Sequence, residues 1–547
     1  MSNHFDLVIY GGTAAAVTAA IQADRMGLLT ALVSPDKHLG GMVSGGLGWV
    51  DSKDGRAVGG LAREFHHRVW KHYRQPEAWT RVEREAYQDR VKAQPGTTVN
   101  DKQEVMWTFE PHVAEKVLDE WLAETKVQVF RDEWLDRNPL GVKKEGTRIT
   151  GFHTRSGRLY SAAMFIDATY EGDLMAAAGV TYRVGRDAAV EFNEPLNGLY
   201  FKKPGMMYAD AAFKAYGDID PYKTPGDPAS GFIKGIEGEL RPDERLGDPD
   251  SRLQAFNLRL CLTNDPANRL PVEKPAGYNE ANYELLLRIY EGGNVCGFST
   301  QEMPNAKTDS NNSGVFSLDY IGGNYSIAEG WNYSDASYEK RAEILADHLH
   351  YTQGLLWTIM NHPRVPEQHR QEWLKWGPCK DEFTDNGGWP HQVYVREARR
   401  MWGTFVMTQH HVQVAEGHPV PDSVGLGSYS LDSHNIRRVV IEGRIRPEGG
   451  FYLFSTQVYP ISYGAIIPKK EEVTNLLVPV TLSATHAAFG SIRMEPTYMI
   501  LGQSAATAAA LALQAQTPVQ DLPYATLAAR LKADGQVLEG WPAEKKG

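Results

Sequence analysis

The run Phe5–Ile21 constrains this chain more than any other stretch. A short apolar strand, 7–10, breaks at Gly11-Gly12 and passes straight into a small-residue helix. A buried strand that delivers a glycine pair to a helix N-terminus leaves backbone N–H groups unpaired, and with the helix dipole these hold a pyrophosphate. The run reads as a dinucleotide-binding turn. A helix over 14–26 and a strand over 30–33 complete half of a βαβ unit, which predicts an α/β, Rossmann-like fold. The GxGxxG fingerprint falls on Gly11, Thr13 and Ala16, so only its first glycine is kept. An acidic residue commonly closes the second strand to hold ribose hydroxyls; here that position is Ser34, with Asp36 two residues on. The competing reading is an ordinary α/β turn in which glycine relieves strain.

At 547 residues, 42% apolar and 23% charged, the chain is long enough for two or three cores. A net charge of -11 argues against nucleic-acid and anionic-membrane partners. Cys261, Cys296 and Cys379 are too few and too scattered for a disulfide framework or a CxxC site. No charged-then-apolar leader precedes the first strand, and the longest apolar stretch, near 505–513, is Ala-rich and short for a span. A cytoplasmic protein with no membrane span is expected. His66-His67 and His410-His411 are adjacent pairs that point apart on a helix, and HExxH is missing, so no metal is expected. GxSxG, a P-loop and a second GxGxxG for a nicotinamide cofactor are missing too.

After Ser34 the segment His38–Gly48 carries five glycines, where backbone must lie close to something flat or bulky. Here YGGT, LVSPDKHLGGM and SGGLGWVD resemble the FAD-dependent oxidoreductase family, whose bacterial members are often described as xanthan-lyase-like and whose FAD fold is glutathione-reductase-like. The resemblance recurs at Trp107–His112, Phe165–Asp173, Pro304–Asp309, Tyr394–Arg400, Ser433–Asn435 and Ser483–Gln503, and so covers nearly the whole chain. It implies FAD held by Gly11, Gly12, Thr13, Ala14, Ala15, Ala16, Ser34, Pro35, Gly40, Gly41, Met42, Ser44, Gly45, Gly46, Val129, Ala168, Thr169, Asp173, Gly490, Met499 and Gln503. It also implies that the helix beginning at Pro496 aims its positive end at the flavin. Against the family pattern, Ala506 stands where glycine is usual and Gly464 where an arginine is expected.

Between 59 and 122 the pattern is helical, and Trp70, Tyr73, Trp79 and Trp107 read as packing, with an aromatic binding platform as the alternative. A strand over 126–130, a hairpin over 148–160 and a buried strand over 163–168 follow. From about Tyr200 the texture turns to Pro, Gly, Asn and aromatic residues, the candidate substrate domain. Helices are expected over 337–360 and 393–413. Within the latter, Arg396, Glu397, Arg399 and Arg400 read as a solvated face or as an anion clamp. A strand over 475–480, a loop over 481–491 and a helix over 497–514 close the chain. The implied organisation is a discontinuous FAD-binding domain, 1–199 and 430–547, with an inserted α+β substrate or cap domain, 200–429.

His434 and His486 are the candidate proton acceptors, since imidazole titrates near neutrality and takes the proton of an alcohol while hydride leaves for flavin N5. Either also reads as a hydrogen-bonded structural histidine. Tyr463 is a lesser donor, and Arg493 could hold a substrate oxygen, hold an anionic flavin, or pair with Glu495. The expected function is FAD-dependent oxidation of a polar small molecule, an alcohol, polyol or sugar-like compound, with oxygen, a quinone or a carrier protein as electron acceptor. The alternatives are a flavin monooxygenase and a non-redox carbohydrate-binding or lyase protein.

Overall fold

Strand β1 (His4–Tyr10) carries Leu7, Val8 and Ile9 fully buried, as a strand covered on both faces must. The computed structural model, which describes residues 4–202, 214–217, 219–313, 316–455 and 457–540, places it inside a seven-stranded sheet. It pairs in parallel with β2 (Thr30–Val33) on one side and with the long strand Leu159–Asp167 on the other. Gln128–Phe130 extends the β2 side in parallel. Arg148–His153, antiparallel, and Leu476–Leu477, parallel, share the far edge of the long strand. The second strand of the expected hairpin and the expected buried strand are thus one element, Leu159–Asp167. This is the parallel-rich α/β sheet that the opening run implies.

Helix α1 (Ala14–Arg25) leaves β1 through the glycine pair and packs on the long helix Glu495–Ala515. Small residues make that approach possible: a Cβ on Gly502 would sit 2.2 Å from the Ala15 carbonyl oxygen. The Thr18 hydroxyl donates across the same seam to the Met499 carbonyl at 2.9 Å. Between residues 59 and 122 three helices form, Gly60–Tyr73, Arg84–Arg90 and Pro111–Ala123. Their aromatic residues are packing: Trp107 is buried against His66, and the Trp79 indole donates to the Tyr73 carbonyl at 2.7 Å.

Residues 393–413 are not a helix. Strand Arg399–Met401 pairs antiparallel with Tyr182–Val184, and only Gln409–Val412 is helical. Arg399 and Arg400 are buried, Arg399 on Asp173 at 2.8 Å and Arg400 on Glu397 at 2.8 Å, so the charges serve interior ion pairs and not a solvated face. The expected loop over 481–491 contains the helix His486–Ile492, capped by the Thr485 hydroxyl, and the expected strand over 475–480 shortens to Leu476–Leu477.

The chain divides into two units, Met1–Val184 with Glu397–Leu431 and Leu453–Gly547, and Gly185–Arg396 with Asp432–Tyr452. These limits differ from the expected 1–199/430–547 and 200–429. The pairing of Arg399–Met401 ties the stretch after Glu397 to the first unit. In the second, Arg437–Ile441 pairs with Gly238–Glu239 and with Arg444–Glu448, and Arg437 reaches Glu448 at 3.0 Å. That unit is α+β, with the four-stranded sheet of Gly297–Met303, Lys307–Ser313, Leu260–Thr263 and Gly377–Pro378, and the helix Tyr338–Asn361. Among the described residues no helix is long and apolar enough to cross a membrane.

Candidate active-site residues

At the turn after β1, Gly11 has φ of +133°, and a Cβ there would lie 2.6 Å from the Ala168 carbonyl oxygen. The ends of β1 and of Leu159–Asp167 pass so closely that only glycine fits. A Cβ on Gly12 would meet Ser34 Oγ at 2.4 Å and Asp36 Oδ2 at 3.1 Å. Thr13, the departure from the fingerprint, caps α1. Its hydroxyl donates to the Ala168 carbonyl at 2.8 Å and accepts the Ala16 amide at 3.3 Å. Ala14 and Ala15 open the helix, where amides have no acceptor within it, and the first turn carries no acidic residue.

Ser34 shapes the next turn, its Oγ accepting the Asp36 amide at 3.0 Å. The carboxylate beside Gly12 is therefore that of Asp36. Burial first, then the charge of Glu171, push its carboxyl up to about 7. Pro35 is buried in this turn. The glycine loop docks on the turn through the Gly40 amide, which donates to the Gly12 carbonyl at 2.8 Å. Met42 N–H donates to the Tyr170 hydroxyl oxygen at 2.9 Å, and the Ser44 hydroxyl closes the loop on the Leu39 carbonyl at 2.7 Å. Gly45 and Gly46 are buried in the same loop. Asp167 organises the strand end, accepting the Thr169 hydroxyl at 2.7 Å and the Met175 amide at 2.8 Å.

The structure thus brings together Gly11 to Ala16, Ser34, Gly40 to Met42, Ala168 and Thr169. Other expected cofactor residues have partners within the protein. Asp173 is paired with Arg399, and Gln503 Oε1 accepts the Leu61 amide at 2.8 Å in helix packing. Met499 gives its carbonyl to Thr18, and Gly490 lies inside the helix His486–Ile492. Val129 sits in an edge strand and is 36% exposed. The Tyr463 hydroxyl donates to the Val519 carbonyl at 2.7 Å, and Arg493 is buried. His486 Nδ1 lies 2.7 Å from Glu397 Oε2, both fully enclosed.

In the second unit His434 Nδ1 is 2.6 Å from Asp319 Oδ2, with 10% of the imidazole exposed. Asp319 also accepts from Asn312 at 3.1 Å and Asn257 at 3.2 Å, and lies 3.0 Å from Arg396. Although burial opposes it, Arg396 and His434 hold the Asp319 carboxyl well below the usual carboxylate range. Burial, then Arg396, lower His434 from the usual 6.5, while Asp319 and Asp432 pull the other way. The imidazole is therefore neutral at pH 7, with Nδ1–H donated to a fixed carboxylate and Nε2 left as the basic nitrogen. Sequence reasoning found His434 and missed Asp319, which stands 115 residues away with no local signal.

A parallel sheet feeding a glycine turn into a helix defines a dinucleotide-binding α/β protein. The sequence profile described as FAD dependent oxidoreductase matches residues 6–531, and the chain belongs to that family. No curated protein matches. Among solved structures, it is similar to an anhydrotetracycline hydroxylase from Streptomyces rimosus (13% identity, 34% of this chain and 35% of that one, TM-score 0.21). A thioredoxin reductase from Streptococcus pyogenes gives 16% identity, 34% and 38% coverage and a TM-score of 0.18. A flavin-containing monooxygenase from Stenotrophomonas maltophilia gives 15%, 34%, 43% and 0.19. The chain thus spans well under half the length of the solved structures it matches. At the turn, helix α1 starts with no acidic residue and with amides that have no acceptor within the helix, which fits the diphosphate of FAD, while protein atoms fill the Cβ positions of Gly11 and Gly12.

Proposed function

We propose that this enzyme uses FAD to oxidise a polar small molecule, an alcohol, polyol or sugar-like compound, with His434 as the base. The observation that carries the reading is the His434–Asp319 pair at 2.6 Å within a cluster of amides. Bound FAD supplies the hydride acceptor, N5 of its ring. Gly11 to Ala16 and Asp36 bind the dinucleotide; Gly40 to Met42, Ala168 and Thr169 line it. His434 Nε2 takes the hydroxyl proton. Asp319 fixes the tautomer with the proton on Nδ1, leaving Nε2, 3.8 Å from Asp432 Oδ2, as the acceptor, and stabilises the imidazolium that forms. Asn257 and Asn312 donate to the Asp319 carboxylate and so hold the pair in place. His486, held by Glu397, serves as a flavin or substrate contact. Without a second GxGxxG, electrons leave for oxygen, a quinone or a carrier protein.

The test is anaerobic mixing of the purified protein with polyols, sugars, amines and acids. Bleaching of bound flavin by a hydroxyl compound without NAD(P)H is expected. Reduction that requires NADPH favours the monooxygenase, and colourless protein with no FAD uptake favours the non-redox reading.

A further inference from the structure

Glu495 opens the long helix Glu495–Ala515 and is 3% exposed. Its Oε1 accepts the Tyr170 hydroxyl at 2.5 Å, while Oε2 has no hydrogen-bond partner among the described residues. The same Tyr170 oxygen accepts Met42 N–H at 2.9 Å, and a Cβ on Gly41 would sit 2.3 Å from it. One phenol oxygen thus joins three segments: the glycine loop, the strand-end loop and the helix start. Through Gly40 N–H and the Gly12 carbonyl, 2.8 Å apart, the glycine loop is bonded directly to the dinucleotide turn.

The titratable groups around Glu495 are Tyr170 from the strand-end loop and Tyr498 from its own helix, whose ring lies 6.2 Å from that of Tyr170. Arg493, two residues before, is buried too, and Oε2 has no hydrogen bond from it. An ionised carboxylate needs donors at both oxygens. Buried without a cation, it loses more on leaving water than a helix N-terminus returns. The neutral acid avoids that loss and still accepts the Tyr170 hydroxyl.

We propose that Glu495 is held as the neutral acid and that Glu495 and Tyr170 form a positioning pair for the Gly40–Met42 wall, keeping it free of an unpaired negative charge where a diphosphate-bearing cofactor binds. This rests on the reading that Gly40 to Met42 line FAD. Burial, opposed by the Tyr170 hydrogen bond, pushes the Glu495 carboxyl up to about 8. The proton is thus kept at neutral pH and lost as pH rises through that value. Ionisation sets a like charge near an anionic cofactor, so FAD affinity falls by up to about tenfold per pH unit above it.

The test titrates FAD into the full-length wild type, Glu495→Gln and Tyr170→Phe from about pH 6 to about pH 10, with infrared difference spectra of wild type against Glu495→Gln at neutral pH. Asp36, its carboxyl pushed up to about 7, titrates alike in all three proteins, so the wild type is read against Glu495→Gln and is expected to lose affinity relative to it only above about pH 8. Glu495→Gln, which keeps an acceptor for Tyr170 and cannot ionise, shows no such loss above about pH 8. Tyr170→Phe, which cuts the link to Met42, binds FAD more weakly at every pH. A protonated-carboxyl stretch that vanishes in Glu495→Gln supports the proposal. Its absence, or one pH profile shared by wild type and Glu495→Gln, overturns the pair and leaves the FAD site standing. A protonated-carboxyl stretch with FAD affinity unchanged in both variants overturns the placement of the loop at FAD, and the proposal with it.

Discussion

Replacing His434 with Asn is expected to slow flavin reduction by the substrate by about 10²- to 10⁴-fold, the usual worth of a positioned general base, while the protein keeps its FAD. Asp319→Asn should fall in the same range. Its amide accepts poorly and offers Nδ1 a donor, so the imidazole rotates or takes the other tautomer and Nε2 is no longer the free base. The loss is expected in the reduction step, read by anaerobic rapid mixing, with bound FAD measured by absorbance after denaturation. Asp319 also neutralises the buried Arg396, 3.0 Å away, so Asp319→Asn is expected to be less stable than His434→Asn. Reduction by His434→Asn at the wild-type rate would remove the histidine from the chemistry.

Gly11→Ala is the second large effect. The position has φ of +133°, and the added methyl would lie 2.6 Å from the Ala168 carbonyl oxygen and 2.9 Å from the Thr169 amide nitrogen. Both obstacles are backbone, so no rotamer relieves them. The φ strain costs about 1–3 kcal/mol and the overpacking a similar amount. Purified Gly11→Ala is expected to lose FAD and to unfold at markedly lower denaturant. Gly157→Ala is the control: φ is +87° at an exposed hairpin turn with nothing within 4 Å, so it keeps FAD and loses only about 1 kcal/mol. Equal losses in the two variants would mean that the crossing at Ala168 does not define the turn.

The dinucleotide turn was legible because its chemistry is local: an apolar strand, two glycines and a run of alanines occupy seventeen consecutive residues. Even its irregularities resolve locally, Thr13 as a cap and Ser34 as the residue whose hydroxyl turns the chain at Asp36. Residues 393–413 were misread because arginines and glutamates at helical spacing look alike in water and in an interior. What decides between them, Asp173 and the strand Tyr182–Val184, lies more than two hundred residues away. The unit limits differ from the expected ones for the same reason, since Glu237, two hundred residues away, holds Arg437 in the second unit. The histidines were visible as residue types; the carboxylates that decide what they do, Asp319 and Glu397, were not.

The central claim is that a neutral His434 takes the substrate proton as FAD is reduced. The most direct measurement is the single-turnover rate of flavin reduction across the acid range, in the wild type and in His434→Asn. Because burial and Arg396 lower the imidazole, the wild-type rate should climb as pH rises through a value below 6.5 and then level off. The His434→Asn rate should be slow and without that limb. An acid limb that persists unchanged in His434→Asn, or a wild-type rate independent of pH through that range, would contradict the account.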